Sequence, residues 1–146
     1  MPTAAKLIAA LCLAAVGFIA AGVVIAHLPE NTRPDYLWAI AAGVGLLSGW
    51  RVLGPDARGS LVGAASAGLR ATAVMVLVVL FTGSFIEMIQ RSLQKQYDGP
   101  VHALQAVFAL MLENGVLVLE TDVAGVLLVG GMLAGALAHL AARSWR

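Results

Sequence analysis

The groups in this chain that could do chemistry are one thiol, three histidines and a run of polar residues at helical spacing. Cys12 is the single cysteine, so an internal disulfide and any CxxC redox or zinc motif are excluded. At about 100° per residue Cys12 falls nearly opposite the stripe Ala10, Ala14, Gly17 and Ala21. If that stripe packs, the thiol faces lipid, where the reactive thiolate is scarce.

Haem or metal ligation is the chemistry that His27, His102 and His139 could offer. His27 closes the first apolar run and His139 lies near the end of the last. In a four-span chain those positions are a bilayer apart, so they cannot serve as two axial ligands of one haem. His27 and His102 share the outer side with Asp35 and Asp98 nearby in sequence, but no ligand spacing joins them, and no metal or cofactor is expected. Further along, Ser66, Arg70, Ser84, Glu87 and Arg91 fall within about a third of one helix circumference. Glu87 and Arg91 are four apart and can pair. Ionisable groups within a membrane are functional candidates, which makes Arg70, Ser84, Glu87 and Arg91 a candidate polar track. Arg70 and Glu87 flank the apolar run rather than interrupt it, so snorkelling at two interfaces is the simpler account. Phosphate-loop, zincin, nucleophile-elbow and dinucleotide signatures are absent, and no enzymatic activity is expected.

The elements that must position these groups follow from composition. Of 146 residues 60% are hydrophobic and only 12% charged, with mean hydropathy +0.90. A soluble domain carries about a quarter charged residues, so long stretches here lack a polar face. The net charge of +1 gives no reason to expect nucleic acid as a partner. Leu7 to Ala26 is uncharged for about the length that crosses a roughly 30 Å hydrocarbon core. It exceeds the roughly 7–15 residues of a signal-peptide core and is read as a retained helix. Tyr36 to Trp50 (extended to Leu53), Ala71 to Ile86 and Val123 to Ala142 are the other long runs. Tyr36, Trp38 and Trp50 flank the second, where amphipathic rings collect at headgroup level.

These runs predict an all-α membrane protein in one domain, with helices at about 4–27, 35–53, 60–96, 100–113 and 122–142. Asp56 is a candidate cap for the third helix and Thr121 for the last. Pro100 suits a first helical position. The third helix is on the order of 54 Å long at 1.5 Å per residue, so part of it must leave the bilayer. Val101 to Leu119 is interrupted by Glu113-Asn114-Gly115, and a shorter apolar stretch of that kind reads as re-entrant or interfacial. Four spans put Lys6, Arg51, Arg58, Arg70, Arg143 and Arg146 on one side and Arg33, Arg91 and Lys95 on the other. That split satisfies the positive-inside rule with both termini cytoplasmic, whereas five spans, the alternative, leave no useful bias. Seven of the eight acidic residues, all but Asp56, then lie on or at the outer side. Such a face repels oxyanions and gathers cations.

Small residues at packing intervals accompany the runs: Ala42, Gly45 and Gly49 on the second helix; Ala124, Gly131, Gly135, Ala138 and Ala142 on the last. Small stripes let helix backbones approach in lipid, which makes Gly45, Gly49, Gly131 and Gly135 candidate packing positions. The partners expected are the lipid bilayer and a further copy of the chain or other membrane proteins.

Four segments carry a resemblance. They are Met1-Pro2-Thr3-Ala4-Ala5-Lys6, Gly49-Trp50-Arg51-Val52-Leu53-Gly54-Pro55, Tyr97-Asp98-Gly99-Pro100-Val101, and the small-residue last helix closing on Ala141-Ala142-Arg143. In this order and at this chain length they resemble the TrgA family of bacterial tellurium-resistance membrane proteins, over essentially the whole chain. The resemblance implies an inner-membrane location and a link to tellurite tolerance, and supplies no catalytic residues. A small transporter or channel and a membrane redox protein are the alternatives. Small multidrug-type exporters depend on a carboxylate in the first helix, and Leu7 to Ala26 holds none. The single thiol and the scattered histidines weigh against redox chemistry.

Overall fold

A computed structural model describes residues 3–32, 34–95 and 97–145. Arg33 and Arg146 of the charge split, Met1 and Pro2 of the opening segment, and position 96 at the expected end of the third helix lie outside them. The described residues are mostly helical, without a strand: α1 (Thr3–His27), α2 (Leu37–Ser48), α3 (Leu61–Leu93), α4 (Pro100–Val118) and α5 (Thr121–Ser144). A 3₁₀ turn, Glu30–Thr32, lies between α1 and α2. After α2 the chain widens into a π turn, Gly49–Leu53, and adds a last turn, Gly54–Asp56. A proline ring collides with the carbonyl four residues back in a regular helix. Pro55 would meet Arg51 in this way, and the wide turn relieves it. With that continuation five helices among the described residues are long and apolar enough to cross a membrane.

Four of them form the body of the molecule. The backbones of α1 and α2 touch: a β-carbon added at Gly45 would stand 2.6 Å from the Leu13 carbonyl oxygen, and one at Gly49 would run into that of Ala9. On α1, Gly17 gives the same close approach to the Ala41 carbonyl, at 2.5 Å. α3 and α5 meet likewise, Gly68 against the Gly131 carbonyl and Gly135 against that of Ala64. Between these pairs lies a core of Ala9, Leu13, Ala67, Ala71, Met75 and Ala134, with Leu53, Val123 and Leu127 among its larger members. Alanine dominates because helices this close leave no room for more.

The contacts also fix direction. Lys6 packs on Gly54, and the His139 ring lies 3.0 Å from the Ala57 carbonyl oxygen. The start of α1, the end of the α2 segment and the end of α5 therefore share one end of the bundle. His27 stands 3.7 Å from Asp122, so the end of α1 and the start of α5 share the other. The chain thus runs the length of the bundle four times, in α1, α2, α3 and α5. Continuing the antiparallel register of α3 on α5 puts position 78 opposite 121, so α3 overshoots α5 by about fifteen residues, roughly 22 Å. α4 lies along this overhang, where a β-carbon added at Gly115 would stand 4.0 Å from a Leu80 methyl, and neither of its ends reaches back toward the Lys6 end. This arrangement is compatible with four spans plus one further helix.

Several boundaries differ from those read in the sequence. α4 does not stop near 113 but continues to Val118, because Glu113 and Asn114 turn toward a cavity and need no break in the helix. α3 ends at Leu93, where Lys95 takes the left-handed conformation with φ 57°. Ser60, not Asp56, caps α3, its Oγ accepting from the Gly63 amide at 3.0 Å. Asp56 belongs to the last turn of the α2 segment, and Arg70 donates to it at 2.5 Å. Thr121 is the first residue of α5, with Glu120 at the cap position.

Candidate functional site

A concave feature opens at the His27 end. A cavity of about 920 Å³ lies among the four long helices and α4. Its floor is apolar and built of small groups: Gly17, Ala20, Ala21, Ala41, Met75 and Leu127. Gly17 sits ten residues below His27, so the floor is roughly 15 Å down. The rim is polar: Asn31 and Tyr36 on the α1–α2 side, Glu87, Gln90 and Arg91 on α3, Glu113 and Asn114 on α4. The overhang of α3 and the helix laid along it raise this rim.

Of the candidate polar track, the structure brings Ser84, Glu87 and Arg91 together in the cavity wall and leaves Arg70 out. Arg70 lies fourteen residues nearer the start of α3, about 21 Å away, with its guanidinium on Asp56 at the opposite end. Both members of that pair are well exposed, so it adds little to stability. Arg91 donates to Glu87 at 2.6 Å, one helical turn apart as their spacing requires. Ser84 is fully buried, and its hydroxyl has no hydrogen-bond partner among the described residues. Burial, and secondarily the charge of Glu87, raise the pKa of Tyr36 above the usual phenol range. Around this rim, among the described residues, the lining holds two carboxylates, Glu87 and Glu113, and one guanidinium, Arg91.

Tyr36, Gln90, Glu113 and Asn114 escaped the sequence reading as site residues. Gln90 extends the Glu87–Arg91 spacing and was legible there. Glu113 and Asn114 read as a helix interruption, and nothing in their sequence neighbourhood shows that α4 folds back on α3.

The thiol and the histidines lie elsewhere. Cys12 is half-buried against the core rather than turned wholly to lipid, because α1 packs on α2 along one flank and on α5 along another. His27 Nδ1 lies 2.8 Å from the Val23 carbonyl oxygen, His102 meets the Tyr97 ring edge-on, and His139 is at the far end on Ala57. Among the described residues no three His, Cys, Asp or Glu side chains converge as metal ligands. The packing candidates Gly45, Gly49, Gly131 and Gly135 all lie in the helix contacts described above. Against known protein families, characterised proteins and solved structures, the chain has no match.

Proposed function

We propose that this chain is a multi-pass protein of the bacterial inner membrane, with cytoplasmic termini, that supports tellurite tolerance without being an enzyme itself. The observation that carries the tolerance reading is the resemblance of four segments, in order and over the whole length, to TrgA proteins. The orientation rests on the six-to-three division of lysine and arginine. Placement supports the non-enzymatic reading: among the described residues the Ser84 hydroxyl in the cavity wall is bonded to no base, and Cys12 and His139 lie outside that wall. Direct capture of tellurite at the cavity is disfavoured, because an oxyanion would meet an excess of carboxylates.

The test is a deletion strain challenged with tellurite, with divalent metals and with oxidants, and complemented from a plasmid. Selective sensitivity to tellurite, restored by the wild-type chain, is the expected result; unchanged tellurite tolerance would sink the reading. Cys12→Ala should complement as well as wild type, since the thiol packs as a small apolar group. Loss of complementation at normal protein level would bring redox chemistry back.

A second reading, a small transporter, is favoured by the depth of the cavity, which reaches Gly17 and Met75 midway along their helices. Uptake or efflux of a solute in vesicles made from overexpressing cells, absent from empty-vector vesicles, tests it.

A further inference from the structure

We infer that the cavity at the His27 end is a binding site for a lipophilic organic cation, a compact apolar body carrying a single positive charge. This goes beyond the tolerance reading and does not depend on it, because it requires only that the cavity take up a ligand.

Three observations meet in it. The floor offers small apolar groups, Ala20, Ala21, Met75 and Leu127, with nothing that would pair with a polar substituent. The rim supplies the charge: among the described residues it has two carboxylates, Glu87 and Glu113, against the one guanidinium of Arg91. A cleft with apolar walls and an excess of one sign focuses that field on whatever enters. The surroundings reinforce the sign. Glu30, Asp35, Asp98, Glu120 and Asp122 lie at this same end, with only Lys95 added on the basic side among the described residues. An anion of equal shape would be repelled on approach and left beside carboxylates once bound. A fully hydrated metal ion would gain nothing from the floor. The cavity also has room that costs no backbone shift: Gly83 lines it, and a β-carbon there would meet nothing within 4 Å.

Tetraphenylphosphonium and tetraphenylborate are nearly the same shape with opposite charge, so they separate the two contributions. Binding of each to the full chain, purified in an uncharged detergent, is measured by equilibrium dialysis against protein-free micelles. The cation should bind saturably at one site per chain and the anion at least about tenfold more weakly, the discrimination of one lost charge-assisted contact. Glu87→Gln should weaken cation binding by about tenfold. Arg91→Gln should tighten it, since Glu87 is then left unpaired; a merely structural role for the pair would not give that sign. Gly83→Leu should obstruct the cavity and weaken cation binding while leaving the melting temperature near that of wild type. If Gly83→Leu proves unstable, Val79→Phe on the same wall serves as the obstructing variant. Equal binding of the two ions, no saturable site for the cation, or indifference to both the charge and the obstructing variants would overturn the assignment. Tellurite sensitivity of the deletion strain is read separately, so failure here leaves the tolerance reading standing.

Discussion

Ser84 and Tyr36 show how single side chains register the cavity. A buried hydroxyl without a partner costs about 1–3 kcal/mol of desolvation, and Ser84 is such a group. Ser84→Ala removes that cost and leaves a cavity no larger than one oxygen atom. It is expected to stabilise the chain by about 1 kcal/mol, seen as a melting temperature raised by a few degrees in detergent. A lowered melting temperature would mean that the hydroxyl is bonded in solution. Tyr36, at the mouth just before α2, has its pKa raised by burial first and by Glu87 second. With a folded-state pKa above the unfolded one, the neutral phenol adds stability that is complete below the usual value of about 10. That stability is lost as pH rises through the raised value. The phenolate absorbance missing from Tyr36→Phe should therefore appear above the ordinary range, and Glu87→Gln should bring it part of the way down. A Tyr36 component titrating at the ordinary value in both proteins would contradict the burial of the phenol at the mouth.

At the scale of elements, glycine decides which helices touch. The carbonyls of α1 fill the space where β-carbons at Gly45 and Gly49 would stand. Without a hydrophobic drive between helices in lipid, such close approach is the main source of association. Leucine there must push two backbones apart, and overpacking of this kind costs about 1–3 kcal/mol. Gly45→Leu or Gly49→Leu is expected to lower the melting temperature markedly, whereas Leu47→Ile, on an exposed flank, changes little. The proper leucine control is Gly43, where an added β-carbon meets nothing within 4 Å. Read from the small-residue spacing alone, Ala41 would count as lipid-facing, yet it is 4% exposed and its carbonyl lies under Gly17. Equal tolerance of leucine at positions 43, 45 and 49 would show that the contact contributes nothing. Spacing made the glycines visible in the sequence. The identity of the partner helix was not visible, because a stripe of small residues is complementary to any other such stripe.

For the whole molecule, the decisive element is α4. It is long and apolar enough to span, yet it runs alongside the overhang of α3, at and beyond the His27 end of the bundle. Reporter fusions placed after Gly99 and after Glu120 should therefore report the same side of the membrane. An active phosphatase at one and an inactive one at the other would make α4 a fifth span. A fusion after Ser144 should report the side opposite to both, since α5 runs the full length of the bundle between them.

Composition and run length determine the helical membrane class without any structure, because backbone polar groups in hydrocarbon must be satisfied within each segment. The pairing of Glu87 with Arg91 and the start of α4 at Pro100 are equally local, since both depend on neighbours within a turn or two. Tertiary structure decided the rest. It separated Arg70 from Ser84, Glu87 and Arg91, because residues on one face of a long helix can stand at opposite ends of a bundle. It folded α4 back so that Glu113 and Asn114, a break when read along the chain, became a wall of the cavity facing Glu87. Helical periodicity reports which face a side chain occupies, whereas a binding site also depends on which other helix faces it and at what depth. Those two quantities are set by packing between segments far apart in sequence.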